Sequence, residues 1–529
     1  MELTRENYYE IEPLIIKDLE NCEFIAFDLE LSGLVPSKFK IYDSPEEDFQ
    51  KSKNMAESYR IIQLGITPFI QNENNKKDYI AKPYNIYVFP SEKQSNNKFD
   101  FFLESILFNR DHGCDFNKWI CQGVPYLNNE NFKKFTERVM GGNINKYEPN
   151  NSFAFKNIVL YKEQDKKKYK NFLDKFNEFF QNPNDQIFKH EKIVKHIVLY
   201  FLNKLDENVR KLIFIEYKDE MIGEETKSYI LIHKLKTHEE KIQKINKENS
   251  EIISMITREK GAKNIIEKII ALKKPIVGHN CFIDLLFLMS HFMDDIPKNF
   301  KTYKIKLKNE FSGGIFDTKY LYNESNLNFN GNKIEAKSKN NLNLGSLYTN
   351  LKEENKKLEK EKQINIQIPK NENFIDYLDE NNGIKFHQAD YDSFTTGCAF
   401  LYMSNILGDE FIGEHKNKLN CYHGLYSCYD IDNTESNDKL VGNSTDSFIL
   451  IFNEKYFENK EIMIKINEEI LNSKLINCKF NVKEIGGAVI VLLNTENKND
   501  FMKLCSNYQI YFQLFTVEAY KESLKNKKK

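Results

Sequence analysis

Apolar side chains fall along the chain in two rhythms, one with the alternation of strands and one with the spacing of helices. Residues 22–33, Cys-Glu-Phe-Ile-Ala-Phe-Asp-Leu-Glu-Leu-Ser-Gly, form a run of aromatic and branched residues closed by a Ser-Gly turn signal, the pattern of a buried strand. The stretches at 59–70 and 84–89 read as two further strands of the same sheet, separated by a polar loop at 72–77. Ahead of them, Tyr8, Ile11, Leu14, Ile15 and Leu19 recur at helical spacing. From 98 to 140 the chain turns helical, and Phe101, Phe102, Leu103, Ile106 and Leu107 are expected to form one apolar cluster.

From 163 to 261 the chain is dense in Lys and Glu around a small apolar set of its own, which reads as an inserted small α/β domain. The spacing predicts a helix over 190–205, a short helix near 207–216, a strand at 228–233 and a charged connecting helix at 236–260. The first pattern then resumes, with a helix at 265–272, a short strand at 274–278 and a helix opening at His279-Asn280. An Asn- and Lys-rich stretch at 323–373 reads as loop interrupted by a helix around 344–358, and 385–406 reads as a helix that includes His387 and Asp392. Strands at 448–452, 478–482, 488–493 and 512–517, with helices at 461–473 and 498–506, give the β-α-β-β-α-β order of the ferredoxin-like arrangement used by RNA-recognition motifs. The chain thus divides into an α/β core from 1–162 and 262–410, the insertion at 163–261, a C-terminal domain at 425–520 and a basic tail at 521–529.

Composition narrows the class. A 40% apolar fraction with 41 Phe and 28 Tyr supports sizeable cores, and a net charge of −2 means that any basic surface for nucleic acid must be local. The nine cysteines are scattered without a C-x-x-C pair, which argues for a reducing compartment and against a disulfide framework or structural zinc. Cys421, His423 and Cys428 lie close together but lack an evident fourth ligand. No apolar run approaches the ~20 residues of a bilayer span, and the opening residues are unlike a secretory signal. A soluble intracellular protein with no membrane partner is expected.

Candidate chemistry begins in the first strand. Side chains two apart on a strand share a face, so Asp28 and Glu30 project together, and two buried like charges call for a cation between them. Asp284, inside Phe-Ile-Asp-Leu-Leu-Phe, is a third acid in an apolar setting, and Asp392 a fourth. Hydrolysis of a phosphodiester by two divalent ions, about 3.5–4 Å apart, needs such a set of hard oxygen ligands. A neutral histidine nearby, His387, could serve as general base. On a helix, Asn280 and Asp284 would share a face, placing an amide beside the metals. Singly, each residue reads as a surface or capping group; their joint occurrence makes the case.

Phe27-Asp-Leu-Glu-Leu-Ser-Gly33, Gly278-His-Asn-Cys-Phe-Ile-Asp284 and His387-Gln-Ala-Asp-Tyr-Asp392 resemble the three exonuclease motifs of the DEDDh nucleases. More closely, the chain resembles the poly(A)-specific ribonuclease family, through Tyr84-Asn-Ile-Tyr-Val-Phe-Pro, Asp115-Phe-Asn-Lys-Trp, Gly123-Val-Pro-Tyr-Leu-Asn and Phe316-Asp-Thr-Lys. The resemblance implies a ribonuclease H-like core with a mixed sheet, an inserted nucleic-acid-binding-like domain and an RNA-recognition-like C-terminal domain. It implies a magnesium-dependent 3′-exoribonuclease, with two Mg2+ per site, that removes 3′ poly(A), releases 5′-AMP, forms a homodimer and resides in nucleus or cytoplasm. Asp28, Glu30, Asp284 and Asp392 would be metal ligands and His387 the base. Leu31, Leu34, Asn280 and Lys319 would line the substrate path, Leu31 replacing an aromatic. The insertion's Arg210 lacks the histidine of the family's Arg-x-x-x-His motif, and the only tryptophan is Trp119, in the core, so cap stacking of the usual kind is not expected from Val482 or Phe480. Trimming of small non-coding RNA 3′ ends and a catalytically silent RNA-binding scaffold are the alternative readings.

Overall fold

Strand Phe24–Leu31 lies inside a nine-stranded mixed sheet. The computed structural model describes residues 1–35, 43–93, 98–142, 159–222, 225–325, 327, 343–370, 374, 387–421, 428–434, 447–452, 476–485, 488–495, 498–509, 512–516 and 519. The chain divides into two compact units, Met1–Asn129 with Gly261–Lys529, and Glu130–Lys260.

In the first unit the strand order is Glu2–Leu3, Tyr84–Pro90, Ile61–Asn72, Phe24–Leu31, Ile276–Gly278 and Ile315–Asp317. Phe24–Leu31 pairs antiparallel with Ile61–Asn72 on one side and parallel with Ile276–Gly278 on the other, so it has neighbours along both edges. Its two faces are also both covered, which explains an apolar run broken only by Asp28 and Glu30. Ile25, Phe27 and Leu29 enter one core cluster with Ile15, Leu19, Ile265 and Leu285, while Phe24 and Ala26 enter a second with Leu347, Cys398 and Met403.

Two expectations for this unit change. The polar loop at 72–77 shrinks to a hairpin turn at 73–74, and Asn75–Ala81 is a strand that pairs with Ile61–Asn72 and with Asn365–Gln367. Lys76, Lys77 and Asp78 are consecutive, so charge falls on both of its faces and hides the alternation that marks a strand in sequence. Nor do the apolar residues near 101 form one cluster: Phe101 and Leu103 are 53% and 68% exposed, and the segment is split into helices Leu103–Asp111 and Phe116–Gln122.

The second unit has a three-stranded antiparallel sheet, Ile187–Glu191, Glu225–Lys234 and Ile213–Ile222, over a core of Phe172, Phe176, Phe201, Ile215, Ile230 and Ile232. This unit runs from Glu130 to Lys260, and the compositional shift near 163 falls inside it. Strand Ile213–Ile222 replaces the second half of the helix read near 207–216; the apolar run Ile213-Phe-Ile215 and the consecutive charges Lys218, Asp219 and Glu220 break its period of two.

Near the C-terminus, four antiparallel strands are ordered Ile476–Ile485, Ala488–Thr495, Ser447–Phe452 and Phe512–Thr516, with helix Lys498–Ser506 after the third in sequence. The helix expected at 461–473 and the tail at 521–529 lie outside the described residues. Among the described residues no helix is long and apolar enough to cross a membrane.

Candidate active site

Alternation along Phe24–Leu31 places Asp28 and Glu30 on the face that carries Phe24 and Ala26. Helix Ala389–Leu407 packs on that face, its Phe400 ring 5.1 Å from the Phe24 ring and Ser393 Oγ 2.7 Å from Thr67 Oγ1. Such close packing depends on two glycines. Gly65 is the register partner of Asp28, and a Cβ there would sit 1.9 Å from the Ala389 carbonyl oxygen. At Gly397 a Cβ would come within 2.0 Å of the Phe69 ring. The helix therefore delivers Asp392, in its first turn, to the two strand acids. One donor oxygen each from Asp28, Glu30 and Asp392 lies within 4.8 Å of the others, the only such cluster among the described residues.

Burial and mutual repulsion raise the pKa of these acids. Asp28 and Glu30 lie well above the usual carboxylate range, first through desolvation and then through the charges of Asp392 and Asp284. Desolvation also pushes Asp284 and Asp392 up to about 7. Asp392 Oδ2 accepts the His387 backbone N–H at 3.0 Å, but Oδ1 is buried with no partner. Among the described residues no hydrogen bond reaches the Asp28 or Glu30 carboxylate. A buried acidic cluster so sparsely hydrogen-bonded fits a divalent cation, which would meet the unfilled lone pairs and offset the repulsion. Asp284 lies outside the triplet, although both strand acids feel its charge.

Asn280 is not on a helix with Asp284, as its spacing suggested. The helix is Phe282–Phe292, capped at Cys281, and Asn280 precedes it in the left-handed region at φ 56°. The cause is Asp317, a fully buried carboxylate whose oxygens accept the backbone N–H groups of Asn280 (2.9 Å), Cys281 (3.2 Å), Lys319 (2.9 Å), Tyr320 (3.3 Å) and Asn420 (3.0 Å). Capturing the Asn280 and Cys281 N–H groups holds the chain in a turn where a helix would otherwise begin. Asp317 lies in the Phe316-Asp-Thr-Lys motif, but its role as a hub has no local signature: N-caps are short-range signals, and the Asn280, Cys281 and Asn420 donors come from far along the chain. Burial lowers the pKa of Lys319, and burial together with Lys319 depresses neighbouring His279 to about 3, so that histidine is neutral.

His387 also departs from expectation. The helix begins at Ala389, and exposed His387 occupies a turn at φ 69°. Its ring lies 4.3 Å from that of His112 and 4.8 Å from that of Phe108, which in turn lie 4.2 Å from each other. Partial desolvation and then His112 lower the His387 pKa. Neither His112 nor Phe108 carried a sequence signal. Leu31 is buried, with its side chain in the core, and its carbonyl accepts from Asn109 Nδ2 at 3.2 Å. Leu34 is half-buried and its N–H donates to Ser105 Oγ at 3.0 Å, so helix Leu103–Asp111 is fastened to the end of the acidic strand at both points.

Residues 3–400 match the CAF1 family ribonucleases. The chain is 26% identical over 441 residues to the poly(A)-specific ribonuclease PARN of Xenopus laevis, covering 80% of this chain and 65% of that protein. It is 28% identical over 337 residues to the pre-piRNA 3′-exonuclease trimmer of Bombyx mori, covering 61% and 58%. With human PARN the identity is 26% over 427 residues, covering 77% and 62%. The chain spans somewhat less than two thirds of the length of these relatives. With its family match running through all three acidic motifs and most of its length, the chain belongs to the CAF1 ribonuclease family.

Proposed function

We propose that this chain is a magnesium-dependent 3′-to-5′ exoribonuclease that removes poly(A) and releases 5′-AMP. The reading rests chiefly on the triplet Asp28, Glu30 and Asp392, largely withdrawn from solvent, mutually repelling and holding an unpartnered oxygen. Together with Asp284 they would hold two magnesium ions, whose hard-oxygen preference the set suits. When bound, such ions activate water and neutralise charge on the phosphate and leaving oxygens. His387, kept neutral by its lowered pKa, takes the proton of the attacking water. Asn280 and Lys319, both anchored through their backbone to Asp317, contact the RNA, and half-buried Leu34 bounds its path.

The strand order of the C-terminal sheet, with the first and third strands in the middle, supports a ferredoxin-like, RNA-recognition-like module. The insertion is read as a second small nucleic-acid-binding domain, and a homodimer as the working assembly.

Labelled A-tailed RNA is expected to shorten from its 3′ end with magnesium and to stay intact with EDTA or with Asp28→Ala protein. Equal degradation by wild type and variant would overturn the reading. The similarity to a pre-piRNA trimmer favours one other substrate for the same site. Faster removal of mixed-sequence 3′ ends than of adenosines would select trimming over deadenylation.

A further inference from the structure

Three asparagines form a directed chain of side-chain amides that ends at Asn280. Asn323 Nδ2 donates to Asn420 Oδ1 at 3.1 Å, and Asn420 Nδ2 donates to Asn280 Oδ1 at 2.7 Å. Asn420 is 7% exposed, and its backbone N–H is held by Asp317 Oδ2, while Asp317 Oδ1 holds the Asn280 N–H. One buried carboxylate thus fixes the backbone at both ends of the Asn420–Asn280 contact, across 140 positions of sequence.

We infer that Asn420, supported by Asn323, is a positioning residue that decides which atom of Asn280 meets the RNA. The inference rests on the exoribonuclease reading. A side-chain amide has one acceptor oxygen and one NH2 donor group. Asn420 occupies the oxygen of Asn280, and among the described residues the Asn280 NH2 has no partner. What half-buried Asn280 presents to a ligand is therefore a donor, suited to an acceptor such as a phosphate oxygen. Without Asn420 the amide can turn over and present its oxygen to an anionic chain, which repels it. The left-handed backbone at Asn280 serves the same end, because it aims the side chain from a turn rather than along the flank of helix Phe282–Phe292.

The test is steady-state cleavage of an A-tailed RNA with magnesium by wild type, N280A, N280D, N420A and the N280A/N420A double variant. N280A is expected to raise KM about tenfold with kcat little changed, and N420A to raise it by a smaller factor in the same direction. The double variant should be no worse than N280A, since Asn420 acts only through Asn280. N280D, which keeps the shape but replaces the donor with a charged acceptor, should raise KM more than N280A. Thermal melting is measured alongside, and N420S takes the place of N420A if the latter does not fold. Inactive wild-type protein would overturn the exoribonuclease reading itself. Active wild type with an unchanged KM in the Asn420 variant, additive losses in the double variant, or near-normal KM in N280D would overturn the relay.

Discussion

Two acidic centres lie on the same sheet, on strands separated by Ile276–Gly278, and are built in opposite ways. Asp317, at the end of strand Ile315–Asp317, is surrounded by five backbone N–H donors that together offset much of its desolvation. Asp28, Glu30 and Asp392 share their space with one another, and of their oxygens Asp392 Oδ2 alone accepts a hydrogen bond among the described residues. A carboxylate fed by backbone donors organises structure. A cluster of carboxylates starved of donors stores repulsion that a cation can relieve, and this is the difference between a structural cap and a cluster suited to a cation.

That contrast can be broken most severely at the triplet. Replacing Asp392 with Asn should lower kcat/KM on A-tailed RNA by about a thousandfold or more, yet leave the metal-free protein as stable as wild type or more so, since a repelling charge is gone. A large loss of melting temperature in EDTA would contradict this account. The Asp317→Ala variant should behave the other way. Its five donors lose their acceptor, and unfolding in denaturant should show about 3–5 kcal/mol of lost stability, with activity falling only as folded protein is lost and as Asn280 is released. An Asp317→Ala protein of wild-type stability would remove the hub from the argument.

A smaller effect separates the centres by pH. Folding raises Asp284 and Asp392 to about 7, whereas unfolded aspartates titrate near ~4. The folded metal-free protein therefore binds more protons between these values, so the contribution is fully present below the unfolded pKa and is lost as pH rises through about 7. In EDTA the melting temperature should be higher at mildly acidic than at mildly alkaline pH. Magnesium should restore it on the alkaline side, and Asp392→Asn should flatten the profile. A profile unaffected by magnesium would count against cation binding at these acids.

Much of the site is legible in the sequence because it depends on local periodicity. The two-residue alternation of Phe24–Leu31 puts Asp28 and Glu30 on one side, and apolar spacing announces helices such as Lys263–Leu272 and Lys498–Ser506. The chain shows less where charge covers the period, as on strands Asn75–Ala81 and Ile213–Ile222, whose outer faces look like loop or helix surface. His112 and Phe108 carry no local signature, since their significance is a distance to His387 created by folding.

The amino-acid sequence by itself determined which acids share a face, that their surroundings would be apolar, and so that a cation was wanted there. Tertiary structure alone decided how the remaining groups are aimed. Asn280 and His387 follow helical spacing in the sequence, yet both stand at positive φ, ahead of the helices they were expected to join. In each case a carboxylate takes backbone N–H groups before the helix can: Asp317 from 37 residues beyond Asn280, and Asp392 folding back on His387. Local propensity reports what a segment would do alone, and a buried carboxylate in need of donors can outbid the first turn of a helix.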